Sequence, residues 1–413
     1  MRDTTSEGEF KRGWPVVLAS LIGIGLGLSP LPFYTAGVFA PHLQAALGWS
    51  TAQIMASLSI TTMVVVIAGP GAGLLTERYG TRPVVLTSIT LFGLAYLSMA
   101  TLGNSLTQFY VTWGLIAFLG AGTLPITFTR TVNRWFDRKR GIALGLALSG
   151  TGLFGILCKP YLAWVIANWG WRGGYVGLGL LPLLIALPVA FALFRDPDTV
   201  DQPQHLPDAL TGLSRGEALR SWRFWLICVA IVFIAFCLGG PVPNLEGILR
   251  DHGFTPETML KLTPLIGLSA IFGRILGGLL LDRFWAPAVA FAILGLPAIA
   301  CWMLAQAGCS VEQAAFAIVL IGFALGIEYD VLAYLTARYF GLRAYAGLYA
   351  IIYVCFAVGS GFAPLVFGLV RDRFGGFGPA LTIAAIVLPI ASGLFLLLGR
   401  YPTFTPARQG ANA

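Results

Sequence analysis

Arg274, Lys159, Glu328 and Asp330 stand deep inside long apolar runs. An ionisable side chain there is costly unless paired or hydrated, so each is a candidate for chemistry. Arg274 lies nine residues before Arg283, the basic residue that ends its run, which on a helix puts it ~14 Å from that end. A guanidinium in such a place suits a carboxylate, because its planar fork gives two parallel hydrogen bonds. Lys159, just before Pro160, lies about 15 Å from the other end of its run near Trp169. It can bind a second carboxylate, or pair with Asp330 or Glu328 and be released when the acid takes a proton. It can equally snorkel outward or cap carbonyls freed by Pro160. Glu328 and Asp330 come eight to ten residues before Arg338, about 12 to 15 Å into their run. Two apart, they face different sides of a helix and form no dyad. Asp330, Tyr334 and Arg338 instead make an i, i+4, i+8 stripe. A desolvated carboxylate takes up a proton more readily than one in water, so at least one acid is expected to carry protons, releasing Lys159 or Arg274 when neutralised.

The elements that hold these groups follow from composition. Of 413 residues, 57% are apolar and 11% charged, against about a quarter charged in a soluble domain. The pattern excludes a disordered chain, and six dispersed cysteines exclude a disulfide scaffold. At roughly 30 residues per span plus turn, the length suits twelve transmembrane helices. Their charged, Gly or Pro borders place them at 14–44, 51–76, 83–103, 106–135, 141–168 and 173–194, then 222–249, 256–281, 287–306, 311–339, 344–370 and 379–399. The chain thus divides into a tail (1–13), a six-helix half (14–194), a polar Pro- and Asp-rich linker (195–221), a second six-helix half (222–400) and a tail (401–413). This is an all-α membrane protein.

The formal charge of +8 is scattered at run ends rather than gathered in a patch, so it speaks for topology and not for nucleic acid. About 18 Lys and Arg fall on the side of the N-terminus and about five opposite. Both termini and the linker are therefore expected in the cytoplasm, with the chain in the plasma or bacterial inner membrane. Pro30, Pro32, Pro241, Pro243 and Pro264 interrupt helices one, seven and eight, placing bends where gates are useful. Tyr34, Asn244, Tyr353 and Phe356 are candidate linings of a central passage. No metal cluster, phosphate-binding loop or Ser/His/acid spacing is present, and His42, His205 and His252 are far apart, so neither an enzyme nor a cofactor is expected.

The halves echo one another. Gly73, Glu77, Arg78, Gly80 and Arg82 follow the second run, and Gly278, Asp282 and Arg283 the eighth, offset by about 205 residues. Arg134-Trp135-Phe136 matches Arg338-Tyr339-Phe340, and Pro160 matches Pro364. By that offset Arg274 falls on Gly69 and Lys159 on Ala363. Charges needed by a shared fold should recur; these do not.

Gly73 to Arg82 resembles the acidic-basic-glycine signature that the major facilitator superfamily carries between helices two and three, and parallel six-helix halves are that superfamily's architecture. The resemblance implies that Glu77, Arg78, Arg82, Asp282 and Arg283, with Arg134 and Arg338, form a conformational latch on the cytoplasmic side. A narrower resemblance runs from Asn133-Arg134-Trp135-Phe136 through Lys139-Arg140, Gly145-Leu146-Ala147, Ser149-Gly150 and Pro160 to Gly170-Trp171-Arg172-Gly173. These positions, with Gly37-Val38-Phe39 and Leu47-Gly48-Trp49-Ser50, are similar to monocarboxylate transporters and the oxalate–formate antiporters. Arg274 matches that group's carboxylate-binding arginine in helix eight. The chain departs from it in lacking a lysine in the first run and in having Ala270 where animal members place an acid. The Gly-Pro pair of drug-efflux members is also absent from helix five. The resemblance implies a monomeric, lipid-embedded secondary transporter taking up a small carboxylate with protons. The alternatives are an organic-anion exchanger of oxalate–formate type and a non-transporting receptor. Proton-driven accumulation should be lost on neutralising the coupling acid; unchanged accumulation in both Glu328→Gln and Asp330→Asn would sink that assignment.

Overall fold

A computed structural model describes residues 6–136, 139–196, 212–341 and 343–402. Most of the tails, most of the expected linker with His205, and Arg138 lie outside the described residues. Eleven continuous apolar helical stretches are long enough to cross a membrane. One of them, Gly141–Leu193, is 53 residues long and breaks at Gly170, whose φ of +69° suits a residue without Cβ. Counting it as two gives twelve spans. In chain order they are span 1 (Phe10–Leu47), span 2 (Thr51–Tyr79), span 3 (Thr81–Thr101), span 4 (Leu106–Trp135), span 5 (141–169) and span 6 (171–193). The second six are span 7 (Trp222–Gly239), span 8 (Pro256–Arg283), span 9 (Ala286–Ala305), span 10 (Val311–Phe340), span 11 (Gly347–Phe374) and span 12 (Gly378–Leu398). Near the two ends of the described residues, Phe10 packs on Phe136 and Tyr401 on Tyr339, both at one face. We call it the terminal face and the opposite one the far face.

The expected bends are present. Span 1 breaks between Gly25 and Pro30, and the Leu28 amide freed there donates to Thr123 Oγ1 at 2.9 Å. Span 7 stops at Gly239, turns through Pro241 and Pro243, and resumes as the short helix Leu245–Asp251. A backbone amide in hydrocarbon must find a partner inside the protein, which is why each break is bridged by side chain or turn.

The repeat governs local structure more closely than the residues first suggest. Ser105 and Ser310 each accept from an amide three residues on, at Gln108 and Gln313, to cap spans 4 and 10. Trp135 Nε1 donates to the Arg195 carbonyl at 2.9 Å; 204 residues later the Tyr339 hydroxyl donates to the Gly399 carbonyl at 2.6 Å. Asp196 Oδ2 accepts from the Thr81 and Arg82 amides at the start of span 3. Its counterpart Tyr401 accepts from the Ala286 amide at 2.9 Å at the start of span 9. There the residue after Ala286 is Pro287, with no N–H to satisfy, so a single hydroxyl suffices where a carboxylate serves two amides.

Each half encloses its own apolar core, one drawn from Val16 to Phe194 and the other from Ala218 to Leu398. Tyr34 of span 1 is the exception and packs with the second core. The halves meet along spans 2 and 11 and along spans 5 and 8. At the second seam a Cβ on Gly267 would sit 2.5 Å from the Gly152 carbonyl, and one on Gly152 3.0 Å from the Gly267 carbonyl. Only glycines let two backbones approach so closely.

Tyr401→Phe leaves the buried Ala286 amide without an acceptor, a loss of about 1–3 kcal/mol. A lower Tm in detergent, with no change for the exposed control Tyr79→Phe, is the expected result.

Candidate functional site at the seam between the halves

Arg274 extends from span 8 into the seam. Spans 8 and 10 touch backbone to backbone, since a Cβ on Gly273 or Gly326 would strike the other span's carbonyl. The guanidinium Nε thereby reaches the Gly326 carbonyl at 3.3 Å. Nη1 crosses to the other half and donates to the Leu148 carbonyl of span 5 at 3.0 Å, a carbonyl that also accepts from Thr151 Oγ1. Asp330 Oδ2 stands 3.8 Å from Nε. These contacts leave Nη2 free for another acceptor. The pair is not sealed, with side chains 20% and 36% exposed, and exposure increases along Tyr334 to Arg338 towards the terminal face.

Glu328 points away from this pair, as its spacing requires. It is 1% exposed, and among the described residues it meets no cation and Oε1 has no hydrogen-bond partner. Between the two acids, Tyr329 forms an aromatic wall with Tyr353 and Phe356 at centroid distances of 6.2 and 4.7 Å. Tyr34 approaches from the other half, its ring against Gly155, near enough for Arg274 to act on it electrostatically. The structure therefore brings Arg274, Asp330, Tyr34, Tyr353 and Phe356 into one region and adds Tyr329, which sequence reading missed.

Lys159 pairs with neither acid of span 10, correcting that expectation. Its Nζ bonds Glu246 Oε1 at 2.7 Å, with side chains 1% and 11% exposed. Glu246 belongs to the short helix after the span 7 break and to the other half. It escaped the sequence reading because it stands three residues from the end of an apolar run, where acids are ordinary anchors. The one signal was the Pro241-x-Pro243 pair, which folds the helix inward. Asn244, expected in the passage lining, is 1% exposed and donates to the Gly240 and Pro364 carbonyls at 2.9 and 3.4 Å. It braces the break against span 11.

The residues expected to latch the halves make contacts within one half. Glu77 meets Arg130 of span 4 at 3.8 Å, and Arg130 donates to Thr76. Arg82 bonds the Phe191 carbonyl, Arg78 lies over Tyr79, and Arg338 lies over Tyr401 at 4.6 Å. Gly80 turns the chain between spans 2 and 3 with φ of +87°. Arg134, Asp282 and Arg283 lie in the last turns of spans 4 and 8, while Gly73 and Gly278 have open space beside them.

Beyond the Arg274 contact, cross-half hydrogen bonds among the described residues lie towards the far face. Asp372, at the end of span 11, accepts from the Thr51 and Ala52 amides at 3.1 and 2.8 Å, capping span 2 of the other half. Its neighbour Arg371 bridges Asp251 at 3.1 Å and Thr51 Oγ1 at 3.2 Å. Deeper in, Ser59 donates to the Gly361 carbonyl. These contacts close the far face, while Arg274 and Asp330 keep part of their side chains exposed.

A family model described as Major Facilitator Superfamily matches residues 22–364. The chain is 28% identical over 408 residues to a protein named monocarboxylate transporter 13 from Bos taurus, covering 95% of this chain and 91% of that one. It is 26% identical to monocarboxylate transporter 11 from Mus musculus, covering 94% and 87%. Among solved structures, a bacterial homolog of the human lysosomal transporter Spinster, in an inward-facing and occupied conformation, superposes with a TM-score of 0.69. It is 18% identical and covers 93% of this chain and 95% of its own.

Asp372→Ala removes two hydrogen bonds to a charged acceptor, weakening far-face closure by about 1.5–3 kcal/mol per bond at most. A cysteine at Met55, beneath that closure, should then react at least about tenfold faster with an impermeant thiol reagent added to the far face.

Proposed function

The chain belongs to the Major Facilitator Superfamily, and from that membership we propose that it moves a small carboxylate together with protons, by alternating access between its two halves. Arg274 carries the reading: it is partly exposed at the seam, contacts both halves, and among the described residues has no partner at Nη2 while an acid stands beside it. A substrate carboxylate takes the free side of the guanidinium fork. Asp330 competes for the same charge, so a proton on Asp330 strengthens the hold on substrate and its loss weakens it. This makes Asp330 the coupling acid at Arg274. Among the described residues Glu328 meets no cation, and protonating it frees no binding group. The names of the monocarboxylate relatives agree with the carboxylate class, and the aromatic wall of Tyr329, Tyr353 and Phe356 supplies the apolar side of the compartment.

By the bias of Lys and Arg, the terminal face is cytoplasmic and the closed far face external. The structure then corresponds to the state that exchanges substrate with the cytoplasm. Opening the far face requires the Asp372 and Arg371 contacts to part, after which Glu77, Arg78 and Arg82 are free to meet the other half on the cytoplasmic side.

Uptake of labelled carboxylates into proteoliposomes, with an inward proton gradient, with none and with preloaded counter-substrate, tests this reading. Proton-driven uptake is expected, falling about 10- to 100-fold in Arg274→Gln as charge-assisted hydrogen bonds are lost. Uptake only against preloaded acid would make the protein an exchanger. No flux of any acid, or normal flux in the variant, would overturn the assignment.

A further inference from the structure

Lys159 and Glu246 form a buried ion pair between the halves, and the proposed function leaves it without a task. Lys159 rides on span 5 and Glu246 on the helix that follows span 7, so the pair cannot survive separation of the far face. It is also distant from Arg274. The Arg274 contact on span 5 is Leu148, eleven residues before Lys159, about 16 Å along a helix. The two cations thus meet span 5 at different depths, Lys159 nearer the far face.

Glu246 has a further feature. Its Oε2 has no hydrogen-bond donor and presses against Gly37 of span 1, where any larger side chain would collide with it. Directly above, a narrow cleft at the far face is lined by Gly37, Pro243, Asn244 and Gly247, and by the polar Thr51 and Arg250. Four of these residues flank Glu246 in sequence or space. The cleft is too constricted for a carboxylate substrate, and it borders the backbone on both sides of Glu246. The charged and titratable groups around Glu246 are few. Span 5 brings Lys159 to it. Its own helix carries Arg250 and Asp251 on the next turn. Span 1 has Tyr34 and His42 on either side of Gly37, and the end of span 11 has Arg371 and Asp372. Among the described residues, Lys159 is the one cation bonded to it.

We propose that Glu246 is an internal carboxylate that occupies a second substrate station at Lys159, and that a proton arriving from the far face displaces it. A proton from far-side water adds to a Glu246 oxygen and the ion pair breaks. The Lys159 ammonium, still charged, is exposed as the far face opens and takes the carboxylate of the incoming substrate. When the substrate moves on towards Arg274 and the far face closes, Glu246 gives its proton to water in the passage and pairs with Lys159 again. Through Glu246 the cycle carries one proton inward ahead of each carboxylate, apart from any proton that Asp330 takes at Arg274. Glu246 governs opening, whereas Asp330 governs the hold at Arg274.

This inference rests on the proton-coupled reading above, but its test uses no substrate. Spin labels on Asn104→Cys and Glu257→Cys, exposed on the far face of opposite halves, report the distance across the opening. The full chain is placed in liposomes, with its six native cysteines replaced by alanine. Acidification of the far side should populate a longer distance. In Glu246→Gln that population should already be raised by about tenfold or more at neutral pH and should no longer respond to acid. Glu246→Asp, which keeps the acid but loosens the pair, should open at higher pH than the parent. A parent-like response to acid in Glu246→Gln, or a parent-like midpoint in Glu246→Asp, would overturn the proposal. Loss of carboxylate flux with these distances behaving as expected would instead sink the transport reading alone.

Discussion

Charge in hydrocarbon needs a partner, and in this protein Lys159 and Arg274 each take at least one partner from the opposite half. Lys159 of the first half holds Glu246 of the second at 2.7 Å. Arg274 of the second half holds the Leu148 carbonyl of the first at 3.0 Å. Leaving either cation without its partner inside the membrane is costly. The relative position of the halves is thereby tied to the ionic state of the seam. In the proposed cycle, substrate anions and protons would act on these same charges and so on the position of the halves.

The rest of the scaffold is arranged to make those few contacts possible. Glycines at 152 and 267, and at 273 and 326, bring backbones together so that side chains can cross the seam. The proline-bearing break after Gly239 turns Glu246 inward from what would otherwise be the outer end of a straight helix. Asn244 satisfies two carbonyls at that break and keeps it docked on span 11. On the far face, Asp372 uses the unsatisfied amides of a helix N-terminus as its partner, which demands that spans 2 and 11 lie side by side.

The internal repeat separates scaffold from function. Structural contacts recur: Trp135 with Arg195 and Tyr339 with Gly399, Asp196 with Thr81 and Tyr401 with Ala286. Some recur with altered chemistry, because what is preserved is the demand for a donor or acceptor at that place. The ionisable groups in the seam do not recur. Arg274 falls opposite Gly69 and Lys159 opposite Ala363, so a pseudo-symmetric frame carries an asymmetric set of charges.

Much of this was legible in the residues alone, for a physical reason. Hydrocarbon forces each span to be long, apolar and helical, so twelve spans, their bends at Pro30 and Pro241, and the repeat are written as local patterns. The same cost of burial marked Arg274, Lys159, Glu328 and Asp330 as unusual, and the helical period placed the two acids on different sides. What the chain could not express locally was pairing. Lys159 and Glu246 are 87 residues apart, and Thr51 and Asp372 321 apart. Their meeting depends on how two separately folded halves dock, a matter of backbone approach at glycines and not of periodicity. Tertiary structure alone therefore decided that Lys159 answers to Glu246, that Asn244 is a brace, and that the far face is the closed one.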